Sequence, residues 1–416
     1  MAWIYVVLPE SLKIPYKTLI YNAWKPILVI RKRLEPSLYD DGPLRINDVC
    51  WINPNDIIMY SLPQFLPVFR FKDRIVDGNW DECTRKFEDS NLFKLSYERF
   101  HDNKDWEEIA IYQETMKEWI NGLSIWVSAS KEGFDAHLNM IDNLYESIKK
   151  EGYKSQKQIA VKFRKFLIKE EVAVNIGRFG HILFNDGRHR LIVAKLLGIE
   201  RMPVTITVRH PRWARFKNEI LDYAKHHGGK VDAPLTHPDL QHIPSSYGHE
   251  RFELIKNNLS IKKGALLDIG AHWGYFCHKF EDMGFECFAV ETDPKNLYFL
   301  RKLWQAQKRQ FRIVPEPIFS FCEKKKGFDV VLGLAVLHHF LRTEKEFLQL
   351  VKLFKTLDMK EMFFESYLPG EPELRGAFKN FSPDEFVEFI LQNSCLVKSK
   401  LIGYTDNGRS LFKIYR

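Results

Sequence analysis

Cysteine is scarce in this sequence and nowhere paired. Cys50, Cys83, Cys277, Cys287, Cys322 and Cys395 are scattered without a CxxC motif. That argues against a disulfide framework or a cysteine-built zinc site and points to free thiols in a reducing cytoplasm. Long hydrophobic runs are also missing, since none reaches the roughly 18 residues of a membrane span. The apolar opening is broken by Pro9, Glu10, Lys13, Pro15 and Lys17. It has no basic region ahead of it and no small-residue cleavage site, so a signal peptide is not expected. Internal repeats and low-complexity segments are absent. Neither GxxxxGK[ST] nor GxGxxG occurs, which removes the P-loop cradle for a triphosphate and the backbone approach that a dinucleotide pyrophosphate requires.

What is present is a globular composition. The 416 residues are 45% hydrophobic and 28% charged, enough for two or three domains with full cores. A net charge of +8 permits an anionic partner without requiring one. The chain is organised around Gly264 to Pro294, GALLDIGAHWGYFCHKFEDMGFECFAVETDP. Ala265, Leu266, Leu267 and Ile269 form an apolar run of buried-strand length, and Gly270 breaks it where a parallel strand hands over to a helix. A helix over 272–282 ends near Gly284, and Glu286 to Val290 supplies the next strand. Glu291 then follows Gly270 by about 20 residues, the offset at which an acid meets a ribose hydroxyl in βαβ nucleoside sites. His272 stands where a dinucleotide site has its middle glycine.

Asp268, Gly270 and Gly274 resemble motif I of class I S-adenosylmethionine-dependent methyltransferases, with the central glycine replaced. The resemblance covers about residues 250–416. It implies an α/β fold with a Rossmann-like seven-stranded methyltransferase sheet, S-adenosyl-L-methionine as cofactor, and Glu291 as the ribose-binding acid. In that scheme Phe328 to Phe340 looks like the fourth strand and its turn, 310–314 is the third strand, and Glu316 is the candidate for the adenine amino group. His272 counts among the cofactor-binding residues by its place in the turn. Helix 343–357 shows Phe347, Leu350, Val351 and Phe354 on one face. Strand five is expected at Met362 to Phe364, ending at Glu365, Ser366 and Tyr367. Ser382 to Glu385 reads as a capping box with proline at the first helical position. A hairpin closes the chain around a turn at Asp406, Asn407 and Gly408. Tyr247 and Arg251 fall just before motif I, where this fold often closes over its cofactor.

A second resemblance covers about 136–213. An amphipathic helix from Ile141 to Gly152, strands at 172–176 and 181–184, and a Gly187-Arg188-His189-Arg190 turn opening a new helix are similar to ParB/sulfiredoxin-type domains. That implies an N-terminal α+β ParB/sulfiredoxin-like domain over 46–213, with Arg45 to Tyr60 as its first strand and a Trp-rich helical insertion at 72–135. Asp105 is expected to cap a helix that places Ile109, Tyr112 and Met116 on one face. The family's turn binds nucleotide phosphates. Here the helix start presents N–H groups to an anion and Arg188 and Arg190 add fixed charge. The competing reading makes Asp186 a simple helix cap and the basic residues a solvated face. Arg188 stands where partition and nuclease-like members carry Glu, which bears on nucleotide hydrolysis. The remaining segments are a basic, aromatic stretch at 1–45, with Lys25, Arg31, Lys32 and Arg33, and a helix with a His-rich linker at 214–249. His226, His227, His237, His242 and His249 lack a fixed short ligand spacing, so no metal is expected.

Methyl transfer is an in-line displacement that needs donor and nucleophile held in line and a proton accepted. His338 and His339 lie just past the fourth strand, at the carboxyl edge where ligands bind in open α/β folds. They are the catalytic candidates, against the alternative that one caps the turn and the other packs beneath it. A [DNS]PP[YFW] motif is missing, which argues against methylation of DNA base amino groups. Three functions remain open. The first is a methyltransferase acting on an anionic or nucleotide-linked acceptor such as a sugar, a glycan or RNA. The second is a nucleotide-dependent enzyme or kinase working through the GRHR turn, and the third is a non-catalytic sensor of nucleotide or S-adenosylmethionine. DNA is a disfavoured partner and no membrane span is expected.

Overall fold

The computed structural model describes residues 26–35, 38–39, 49–61, 65, 71–83, 85–120, 131–162, 170–368, 371, 374–405 and 407–416. Lys25, Arg45 and Asp406 lie outside them. The chain divides into two compact units, Met1–Glu219 and Ile220–Arg416, with the division inside the helix Pro211–His226. Among the described residues no helix is long and apolar enough to cross a membrane.

The second unit is built on seven strands. They are β7 (Ala265–Ile269), β8 (Glu286–Val290), β9 (Arg312–Val314), β10 (Gly327–Leu334), β11 (Asp358–Glu365), β12 (Lys398–Tyr404) and β13 (Ser410–Tyr415). Their order in the sheet is β12-β13-β11-β10-β7-β8-β9. β9, β8, β7, β10 and β11 run parallel, and β13 enters antiparallel between β11 and β12. The central strands are apolar on both faces because helices cover both. Phe252, Ile255, Phe276, Phe280, Leu297 and Leu300 pack on one side with Leu266, Ala289, Val330 and Leu332. Ile318, Leu350, Phe354, Phe386 and Ile390 pack on the other with Leu267, Phe288, Val331 and Met362. The chain reverses its direction of winding between β7 and β10, so the crevice beyond their carboxyl ends is the place for a ligand.

Helix boundaries follow their caps. Asp293 accepts a hydrogen bond from Asn296 N–H and Pro294 opens the helix Pro294–Ala306. Ser382 and Glu385 form the expected capping box of Pro383–Asn393. The motif helix begins at Tyr275, after Gly274, and runs to Asp282; its start is later than 272 because Gly270, His272 and Gly274 all take positive φ.

Among the described residues the first unit carries a six-stranded sheet. β1 (Cys50–Ile52), β6 (Met202–Arg209), β4 (Val172–Ile176), β5 (Ile182–Asp186) and β2 (Met59–Tyr60) lie in that order, and β3 (Arg74–Ile75) pairs with β6. The helix read from Ile141 spans Lys131–Glu151, because the buried set Phe134, Leu138, Ile141 and Ile148 continues the stripe upstream. Asp105 opens a 3-10 turn, Trp106–Glu108, with a capping box, and the α-helix Ala110–Ile120 follows it. The DGNWD stretch is a clasp. Arg178 Nη2 donates to Asp81 Oδ1 at 2.7 Å, to Asn79 Oδ1 at 3.1 Å and to Gly78 O at 3.1 Å, while Trp80 is buried against Phe65.

Candidate functional site

The turn after β7 is shaped by two glycines at which a side chain would be strained and crowded. Gly270 has φ 72° and a Cβ there would stand 2.7 Å from Val336 Cγ2; Gly274 has φ 82° and its Cβ would meet Leu300 Cδ1 at 2.5 Å. Between them His272 also takes positive φ, 51°. Such backbone costs a non-glycine residue roughly 1–2 kcal/mol, and here it is held by two contacts. His272 N–H donates to Glu291 Oε2 at 2.9 Å, and the imidazole Nε2 lies 2.8 Å from Asp232 Oδ2. Asp232 also accepts from the Tyr223 hydroxyl at 3.3 Å, and its carboxyl is held below the usual range, chiefly by the hydrogen bond from His272. Trp273 is buried, stacks on Phe299 and donates from Nε1 to Asn296 Oδ1 at 3.3 Å.

Glu291 sits at the carboxyl end of β8, buried. Besides His272 N–H, it accepts from Thr292 N–H at 2.7 Å and Asp293 N–H at 2.8 Å, both on Oε1. A carboxylate has about four acceptor sites, so one is left, on Oε2. Asp268, at the end of β7, is buried, and burial pushes its carboxyl up to about 7; the Cys277 thiol donates to it at 3.7 Å and the Arg251 charge partly opposes the rise. Arg251 Nη1 in turn donates to the buried Glu365 Oε2 at 2.6 Å, and its guanidinium lies over the Tyr247 ring at 4.1 Å. Glu316 lies just past β9, half-buried, with Oε2 receiving a hydrogen bond from Lys324 Nζ at 2.7 Å.

His338 and His339 fall in a 3-10 turn, Leu337–Leu341, directly after β10. Their rings are 4.2 Å apart, and His338 lies 5.6 Å from the Tyr367 ring. His338 is buried, and burial, followed by the neighbouring His339, Arg409 and Arg342, lowers its pKa to about 3. It is neutral near pH 7 and a weak base. His339 is half-exposed beside it.

In the first unit, Gly187 (φ 93°) is the N-cap of the helix Arg188–Leu196, with no side chain capping it. Asp186 Oδ1 accepts from Gly187 N–H at 2.7 Å, so the acid holds the turn from outside the helix. Arg188 is exposed at the helix start, whereas Arg190 turns inward, with Nη1 3.7 Å from Glu171 Oε2. His189 Nε2 shares a hydrogen bond with His137 Nε2 at 2.8 Å; burial and then His137 lower the His189 pKa to about 4. The five linker histidines do not assemble: among the described residues no group of three or more His, Cys, Asp or Glu is placed to hold a metal.

Asp232, Tyr223, Cys277, His137 and Glu171 carried no sequence signal as site residues.

Over 96 residues, 23% of this chain, the sequence is 35% identical to a tRNA U34 carboxymethyltransferase of Dichelobacter nodosus (strain VCS1703A), and the match spans 30% of that relative's length. Among solved structures, monomeric WbdD is similar at 19% identity over 47% of this chain and 48% of that one, with a TM-score of 0.38. The bifunctional kinase-methyltransferase WbdD matches at 18% identity over 47% of this chain and 46% of that one, TM-score 0.37. The N-methyltransferase NodS of Bradyrhizobium japonicum WM9 matches at 16% identity over 40% of this chain and 94% of that one, TM-score 0.32. Residues 267–356 match the family described as methyltransferase domain, so the C-terminal part of the chain carries a methyltransferase domain, one whose methyl donor is S-adenosylmethionine.

Proposed function

We propose that the protein is a cytoplasmic S-adenosylmethionine-dependent methyltransferase whose acceptor is anionic or nucleotide-linked, a sugar, a glycan or RNA. Its donor-binding domain spans 250–416, and a ParB/sulfiredoxin-like domain over 46–213 holds the acceptor's phosphate at the Gly187–Arg190 turn. The observation that carries the reading is the Gly270–Gly274 turn, where any side chain on either glycine would strike Val336 or Leu300. The buried acid Glu291 closes the same turn. RNA stays among the acceptors because a relative that matches 23% of this chain is named for a tRNA substrate.

The residues present fit the donor. Glu291 keeps one acceptor site for a ribose hydroxyl, Asp268 offers a carboxyl that ionises near neutrality, and Glu316 stands past β9 for the adenine amino group. When bound, S-adenosylmethionine supplies an electrophilic methyl carbon. Around it His338 stays neutral and orients, and His339, the more open of the two, takes the acceptor's proton. Arg188 and the helix N-terminus fix the acceptor's phosphate.

Two measurements test this. Methyl transfer from labelled donor to a cell extract should mark an acceptor that phosphatase or nuclease treatment alters. Calorimetry should show S-adenosylhomocysteine binding that Gly270→Arg abolishes. A folded protein that gives no heat with either form of the donor would overturn the proposal.

A further inference from the structure

Beneath the Gly187–Arg190 turn, three polar atoms are buried without hydrogen-bond partners. Glu171, immediately ahead of β4, is 7% exposed, and its Oε1 accepts from Gln156 N–H at 2.6 Å. Its Oε2 accepts nothing. Two opposite charges act on it, Arg190 and the buried Lys72; Arg190 Nη1 is 3.7 Å away, beyond hydrogen-bond reach, and is itself buried and unbonded. The Tyr153 hydroxyl is buried and unbonded too, and the charges it feels are those of Arg190 and Glu171. An orphaned buried polar atom costs about 1–3 kcal/mol, so three in one place mark a site completed by a further partner.

The chemistry of the set selects that partner. A second carboxylate would face Glu171, an ammonium would face Arg190, and an apolar group would leave all three atoms unsatisfied. A hydroxyl answers each, donating to Glu171 Oε2 while accepting from Arg190 Nη1 or Tyr153. This set of atoms adjoins the uncapped N-terminus of the helix Arg188–Leu196, because Arg190 belongs to both. We propose that it takes a hydroxyl of a phosphorylated polyol, a sugar phosphate or the ribose of a nucleotide, whose phosphate lies at the helix start. This rests on the phosphate role given to the turn under the proposed function.

The test compares inorganic phosphate with ribose 5-phosphate by calorimetry on the full chain. Wild type should bind ribose 5-phosphate more tightly by roughly tenfold or more, the worth of hydrogen bonds to a buried charged group. Glu171→Gln and the milder Tyr153→Phe should remove that advantage and leave phosphate binding in place, and Arg188→Ala should weaken both ligands. Thermal melts confirm that each variant is folded. If both ligands bind wild type alike, or the Glu171 and Tyr153 variants keep the ratio, the set is structural and the inference falls while the phosphate reading stands. If neither ligand binds wild type, the phosphate reading itself fails and takes the inference with it.

Discussion

His272 reaches Asp232 across the glycine turn, with Nε2 2.8 Å from Oδ2. The residue that displaces the middle glycine is thus a tie between the turn and the segment ahead of β7. That segment closes on itself as well, since Val231 N–H donates to Pro244 O and Tyr247 N–H to Asp232 O. Both side chains are partly exposed, so the contact is open to solvent. Asp232→Asn should cost at most about 1 kcal/mol at pH 7, and the cost should vanish in a His272→Gly background. Urea unfolding of the double-mutant cycle measures this coupling. A full-size loss in the His272→Gly background would mean that Asp232 acts through Tyr223 instead.

The sequence exposed the elements whose signals are local. β7 and β8 are short apolar runs with a glycine at one end, the positive-φ glycines Gly270 and Gly274 sit where a strand must turn, and Ser382 with Glu385 announces its helix. What stayed hidden was pairing between distant segments. Asp232 lies in an aperiodic stretch, Glu365 ends a strand, and nothing in either neighbourhood signals His272 or Arg251 as partner. The inward turn of Arg190 was equally illegible, because a residue on a helix start faces solvent or core according to what packs beneath it. Here that is Glu171 and Tyr153.

Asp268 should couple donor binding to proton release. Burial raises its carboxyl to about 7, so in the free protein at pH 6.5 much of it is protonated. A cationic sulfonium favours the ionised form. Calorimetry of S-adenosylmethionine at pH 6.5 in buffers of different ionisation enthalpy should report proton release, less for S-adenosylhomocysteine, and Asp268→Asn should abolish the difference. In the free protein the sign for stability is opposite to that of an ion-paired acid. The folded pKa lies above the unfolded 3.8, so Asp268 lowers stability as pH climbs from about 4 to 7.

His278 should be a liability that substitution relieves. It is 1% exposed, both ring nitrogens lack hydrogen-bond partners, and it packs edge-on against Phe311. Replacing it with leucine should raise stability by about 1 kcal/mol, the cost of an unsatisfied buried polar group. Burial holds its pKa well below 6.5. The unfolded chain therefore binds a proton below pH 6.5 that the folded one refuses, and stability falls as the solution is acidified. His278→Leu should flatten that fall between pH 6.5 and 5 in denaturant titrations. An unchanged slope would assign the acid sensitivity to His189 and His338, whose pKa values are lowered in the same direction.

His338 and His339 should separate in their effects on turnover. Burial and the adjoining charges hold His338 near a pKa of 3, so its ring carries no proton across the working range and cannot shape an acid limb around pH 6. It lies against His339 and Tyr367, and the Tyr367 hydroxyl donates to Asn380 Oδ1 at 3.0 Å and accepts from Phe381 N–H at 2.6 Å. His338→Asn should therefore disturb position more than basicity, raising the acceptor KM and leaving the shape of the pH profile alone. His339→Ala should lower kcat by about 100-fold or more if it takes the acceptor's proton, with S-adenosylhomocysteine affinity unchanged, because neither histidine belongs to the turn proposed to hold the donor. Once labelled transfer has identified an acceptor, the profile from pH 5 to 9 decides. An acid limb that survives His339→Ala would move the proton acceptor elsewhere on the carboxyl edge of β10 and β11, and equal loss of S-adenosylhomocysteine binding in either variant would make the pair structural.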